Sequence, residues 1–282
     1  MQVVDLYEEI SAAIAADELA LPSLPDIALR IHRAASDPDC TFATIGRVLK
    51  RDTAISTQLI RMANGPLYRT RVPVTNVRSA IHRLGVPGVR NFVTTAALRN
   101  LFKTTDLKLT QRFRQLWEQS CEISAMTAVL ATFCAGFDPD DALLAGLLQD
   151  VGAVTLLGQV SRSSDATPDD EMLDRAIEEW APRVGVLVLT HWGFDQRYID
   201  VARARHDWHF DSGDEKTTIV DVITAARLHF YREKRVPGSW PEFAAIPAYR
   251  KLPVRDLSEA GGLLLLCEAT EEIEQVRQML RD

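Results

Sequence analysis

Gln149 and Asp150 stand side by side at the end of an apolar run, Leu143-Leu144-Ala145-Gly146-Leu147-Leu148, and are followed by Val151-Gly152. Such a run reads as a buried helix, and polar side chains at its end need partners, because burying them unpaired is costly. A carboxylate there could ligate a divalent cation. An amide oxygen beside it suits magnesium or calcium and serves transition metals poorly. A second candidate, His206-Asp207-Trp208-His209, places two imidazoles at i and i+3. No third ligand with convincing spacing accompanies them, so exposed imidazoles at a helix terminus are expected. Cys40, Cys121, Cys134 and Cys267 are scattered with no C-x-x-C pair, which points to isolated thiols rather than a zinc site or disulfides. The chain has no P-loop, dinucleotide-binding glycine fingerprint or nucleophile elbow.

The elements that must position these residues have helical spacing almost throughout, with no convincing apolar–polar alternation, so an all-α fold is predicted. Leu6, Ile10, Ala13 and Ile14 mark a first short helix. Leu21-Pro22-Ser23-Leu24-Pro25 forms a rigid entry to a helix that turns Ile27, Ile31 and Ala34 inward and stops at Ser36-Asp37-Pro38. Thr41 is the expected cap of Phe42–Lys50 and Asp52 that of Thr53–Asn64, which Asn64-Gly65-Pro66 ends. Asn76 should cap Val77–Leu84, with Gly85 closing that helix and Pro87 opening the next, to about Phe102. This glycine-hinged pair outlines a DNA-reading motif, but its second helix is mostly apolar and is expected in the core.

A long helix is predicted from about Gln111 to Cys134, and Asp140 or Asp141 should start the helix leading into Gln149-Asp150. Ser161–Asp170 reads as an exposed loop. Helices follow near Glu171–Trp180, Arg183–Trp192, Gln196–His206 and Thr217–Lys234. A proline-rich wrap then leads to a final helix, about Ser258–Arg281. Its Leu263–Leu266 run must be covered by its own domain or by a second copy, as in a homodimer.

Composition bounds the rest. A chain of 282 residues, 46% hydrophobic and 25% charged, is ordinary for a soluble globular protein. Apolar runs such as Leu263–Cys267 fall short of the roughly twenty residues of a membrane span, and Met1–Ile10 has acids but no basic segment, so a cytoplasmic protein is expected. Charge is uneven: Ile27–Lys103 holds thirteen Lys/Arg against three Asp/Glu. Without an aromatic platform, that basic lobe fits attraction to the acidic remainder better than nucleic-acid binding.

"Leu-Pro-Ser-Leu-Pro-Asp-Ile-Ala" at 21–28, "Arg-Asp-Thr-Ala-Ile-Ser" at 51–56, "Leu-Ile-Arg-Met-Ala-Asn-Gly-Pro-Leu-Tyr" at 59–68 and "Pro-Val-Thr-Asn-Val-Arg-Ser-Ala-Ile-His-Arg-Leu-Gly" at 73–85 together resemble the HDOD domain. The resemblance covers about 18–225, divided into an N-terminal helical lobe (18–108) and a degenerate HD-like lobe (109–225), with 1–17 a leading helix and 226–282 an extension. Asn64, Tyr68 and Arg83 of these motifs are expected to be structural. The resemblance implies a bacterial regulatory role exerted by binding signalling proteins, possible members of cyclic-di-nucleotide or two-component pathways among them, without catalysis and with no cofactor.

In the related HD phosphohydrolases, a histidine, a His-Asp pair and a later aspartate converge on metal. By resemblance Gln119 and Gln149 stand where those enzymes have histidines, Asp150 is retained, Asp221 matches the last aspartate, and His206 loosely matches a later histidine. With two ligand types missing, no metal is expected. Gln119, Gln149, Asp150 and Asp221 are expected to form a buried hydrogen-bonded network inherited from the metal site. The alternatives are a ligand pocket, an atypical phosphohydrolase using Asp150, Asp221 and His206, and a nucleic-acid binder through the basic lobe.

Overall fold

The computed structural model describes residues 12, 19–25, 27–28, 30–31, 41–49, 53–68, 72–163 and 169–281. The expected first helix, the stop at Ser36-Asp37-Pro38 and the Asp52 cap lie outside them. Among the described residues every regular element is helical, and the only bridge pairs Leu257 with Leu263. The fold is all-α, as predicted.

The N-terminal lobe holds α1 (Phe42–Leu49), α2 (Thr53–Ala63), a 3-10 turn (Pro66–Tyr68) and α3 (Val77–Leu98). Its motifs are stops and pins. The Thr41 hydroxyl accepts from Thr44 N at 3.2 Å and the Asn76 side chain from Ser79 N at 2.9 Å, capping α1 and α3. Asn64 ends α2 and clasps the backbone of Val74, accepting from its N–H and donating to its carbonyl, both at 2.8 Å. Arg83 donates to the carbonyls of Ala63 (3.1 Å) and Val72 (2.8 Å). Gly85 kinks α3 with φ +69°, a conformation in which a side chain would be strained. The second half of α3 buries Val89, Phe92, Val93, Ala97 and Leu98 in the core.

The second lobe follows: α4 (Thr110–Ala131), α5 (Pro139–Leu148), α6 (Val151–Ser163), α7 (Asp170–His191), α8 (Gln196–Arg203) and α9 (Ile219–Glu233). Several boundaries differ from expectation; α8, for one, ends at Arg203 rather than His206. Asp138, not Asp140 or Asp141, caps α5, because Pro139 takes the first helical position. The predicted loop from Ser161 is helical as far as Ser163. The break predicted at Pro182 is absent, and α7 runs through it. There α6 crosses so closely that a Cβ on Gly152 would lie 1.9 Å from the Ala181 carbonyl oxygen and 2.6 Å from Gly185 N. Packing across this glycine contact holds the proline in the helix, which tertiary context can do against local propensity. The stretch Pro139–Arg162 has the length and apolarity of a membrane span, contrary to expectation, but 89% of its most apolar window is buried in the fold and the chain turns at Gln149-Asp150.

The last segment carries α10 (Pro247–Lys251), α11 (Leu264–Glu268) and α12 (Thr270–Arg281). The single final helix expected is therefore two, broken at Ala269. Leu263 and Leu266 are buried within the chain, as are Ile273, Val276 and Leu280 of α12, which packs on α4 and the Pro66–Tyr68 turn. One hydrophobic core runs through both lobes. At the chain's other end, the Leu19–Pro25 strap is tied to the second lobe, where Trp192 Nε1 donates to the Pro22 carbonyl at 2.7 Å.

Candidate functional site

Asp150 lies in the joint between α5 and α6, and its backbone carbonyl accepts the first hydrogen bond of α6, from Val154 N at 3.0 Å. The residue is 2% exposed, and both carboxylate oxygens are occupied. Oδ1 accepts from Nε and Nη2 of Arg205, each at 2.7 Å; Oδ2 accepts from the Ser120 hydroxyl of α4 at 2.5 Å. Arg205, 6% exposed, follows α8 and reaches back over the α5–α6 joint. Its Nη1 also bonds His206 Nε2. Burial first, then the charges of Arg205 and Arg227, push the His206 imidazole down to about 2, so it is a neutral acceptor. The expectation of an exposed imidazole at 206 is thereby corrected: the turn after α8 carries it inward, while His209 stays exposed.

The remaining sequence candidates do not share one network. Gln149 is 1% exposed, but its amide nitrogen donates to the Gly146 carbonyl at 2.9 Å and its Oε1 has no partner. Gln119 donates to the Tyr231 hydroxyl at 2.9 Å. Asp221 is buried in a different duty: with Thr218 it forms the capping box of α9, its Oδ2 accepting from Thr218 N at 2.7 Å and from the Thr218 hydroxyl at 2.8 Å. Instead, α9 meets the Asp150 cluster with Arg227, nearly two turns further on. Arg227 is 4% exposed, donates to the Ala204 carbonyl at 3.2 Å and lies over the Trp208 ring at 4.6 Å, and burial pulls its guanidinium down to about 10. Trp208 in turn meets Tyr231 edge-on, and Tyr231 stacks on Trp240 with ring centres 4.3 Å apart.

A divalent cation needs converging lone pairs and an excess of negative charge. This cluster supplies one carboxylate, already paired, and two buried guanidiniums. No group of three or more His, Cys, Asp or Glu suited to a metal occurs among the described residues. The residues present do not fit the metal of an HD phosphohydrolase.

Arg205, Arg227 and Ser120 were not singled out as site residues by the sequence, yet a signal existed. Tyr198, Val201, Ala202 and Arg205 share one face at helical spacing, so the arginine continues a buried stripe.

The HDOD domain model matches residues 21–208. The chain belongs to the HDOD family. A Treponema pallidum (strain Nichols) protein of uncharacterized function is 23% identical over 233 residues, 77% of this chain but 44% of the relative, so the HDOD chain spans less than half of that relative's length. Among solved structures, a Shewanella amazonensis SB2B protein named as a candidate metal-dependent phosphohydrolase superposes with a TM-score of 0.80 at 22% identity, covering 99% of this chain and 98% of its own. A Geobacter sulfurreducens HDOD domain protein of unknown function gives 0.65 at 21%, covering 99% and 97%. A Marinobacter aquaeolei VT8 protein named as a candidate signal transduction protein gives 0.62 at 18%, covering 99% and 66%. At these identities the likeness is one of fold.

Proposed function

We propose that this HDOD protein is a non-catalytic regulator in signal transduction, acting by binding other signalling proteins. The observation that carries the reading is the Asp150–Arg205 pair. The carboxylate that would serve a metal is sealed from solvent and held by a guanidinium, with a second guanidinium, Arg227, close behind it. The Marinobacter structure, named for signal transduction, supports the role. The name of the Shewanella structure would instead bring phosphohydrolysis, and the donor set around Asp150 weighs against carrying that name over. The test is turnover of phosphodiester and nucleotide substrates by purified protein with magnesium, manganese or zinc. None is expected above the uncatalysed rate; metal-stimulated hydrolysis that Asp150→Ala abolishes would overturn the proposal.

A further inference from the structure

The first turn of α5 carries two adjacent aspartates in opposite circumstances, and both lie where the lobes meet. Asp141 is engaged from three sides. Its Oδ1 accepts from Asn91 Nδ2 of α3 at 2.6 Å and from the Tyr198 hydroxyl of α8 at 2.9 Å, and its Oδ2 pairs with Arg197 at 2.9 Å. Asp140 is 2% exposed, and neither of its oxygens has a partner. Its carboxyl lies across the joint from α3. A Cβ on Gly88 would stand 3.0 Å from Asp140 Oδ2 and 3.3 Å from the Tyr68 hydroxyl, so the bare glycine backbone is what lets α3 close over the acid.

A buried carboxyl without a donor costs least while it keeps its proton. The charged and titratable side chains on the elements around it are engaged elsewhere. On α3, Arg83 donates to the carbonyls of Ala63 and Val72, and Arg90 to Asn91 Oδ1 at 3.4 Å. On α8, Arg197 holds Asp141 and Arg203 holds Asp200. Asp221 of α9 serves its own capping box, residues 123–131 of α4 carry no charge, and Asp138 caps α5 by accepting from Asp140 N. Burial first, then the charge of Asp141, push Asp140 up to about 7. A hinge lies beside it: Gly85, three residues before Gly88, already bends α3 at φ +69°. We propose that Asp140 is a proton-operated latch between the lobes. Neutral, it lets residues 85–91 of α3 seat on α5; ionised, it parts that contact and admits water, with Gly85 as hinge and the Asn91–Asp141 bond as pivot. The joint then follows pH near neutrality, an input that goes beyond the non-catalytic reading and uses none of the residues that carry it.

Closing the joint takes up a proton, so the closed form weakens as pH rises from about 4, where an exposed aspartate titrates, to about 7. The experiment is hydrogen–deuterium exchange of the intact chain at pH 6 and pH 8, corrected for the intrinsic pH dependence of amide exchange. Protection of residues 84–92 should fall about tenfold between the two, the ratio that this titration sets, while that of α6 and α7 changes less than about twofold. Asp140→Asn, neutral at every pH, should keep at pH 8 the protection it has at pH 6. The wild-type series decides alone if that variant does not fold. Unchanged protection at 84–92, a fall shared equally by α6 and α7, or a fall that persists in folded Asp140→Asn would each overturn the latch.

Discussion

Removing one partner of the Asp150–Arg205 pair tests the central reading directly. In Arg205→Met the Asp150 carboxylate, 2% exposed, keeps only the Ser120 hydroxyl as donor; in Asp150→Leu the Arg205 guanidinium keeps only neutral His206. A buried charge left without its partner costs about 3–5 kcal/mol. The unfolding entropy of a chain of 282 residues is about 0.6 kcal/mol per kelvin, at about 2.1 cal/mol/K per residue, so each variant should melt about 5–8 °C lower. The double variant should recover most of that loss, since apolar replacements of a buried pair are often near neutral. Thermal melts and urea unfolding of wild type, both single variants and the double variant close a cycle, with an expected coupling above about 2 kcal/mol. Single losses below about 1 kcal/mol with no coupling would mean that the pair is wet, and that Arg205 does not stand in for a metal at Asp150.

Other expectations follow from single groups. Asp140, 2% exposed with neither oxygen partnered, is pushed up to about 7 by burial and by Asp141. Its folded form therefore holds a proton that the unfolded chain releases, so it lowers stability progressively from about pH 4 to 7 and fully above that. Asp140→Asn should gain on wild type across this window, by up to about 4 kcal/mol at pH 8, in urea titrations at stepped pH. His229 works in the opposite sense: burial pushes it down to about 4, and its Nδ1 accepts from Leu263 N at 3.0 Å. The stability this gives is present above about pH 6.5 and lost as pH falls toward 4, so His229→Gln, which keeps an acceptor, should flatten the acid limb of the same titration. Gly152→Ala drives a methyl into the Ala181 carbonyl and should cost more than about 3 kcal/mol or prevent soluble expression, read by melting temperature and yield.

Much of the fold was legible because its punctuation is chemical. Thr41, Asn64, Asn76 and Gly85 do in the structure what their side chains, or the lack of one, suggest in the sequence. The continuity of α7 was not legible, since Pro182 marks a break locally and the packing of Gly152 against it comes from far along the chain. The site was legible only in part. Family pattern drew attention to Asp221, although Thr218-Ile219-Val220-Asp221 is itself a helix-start signature that announces a cap. Arg205 was passed over, although it continues the stripe of Tyr198, Val201 and Ala202 that the structure buries. Which carboxylate it would meet is a tertiary fact, fixed by how the turn after α8 folds over the α5–α6 joint.

The family match ends at residue 208, but the packed structure does not. Arg227 and Tyr231 of α9 stand beside the Asp150 cluster, and Glu122 of α4 is gripped by Lys234 at 2.7 Å and by Arg277 of α12 at 3.3 Å. A fragment cut where the family match ends would bare the faces of α4 and α5 on which α9 packs and strip Gln119 and Glu122 of the partners named above. The stretch that defines the family and the unit that packs around one core are therefore different in extent in this protein.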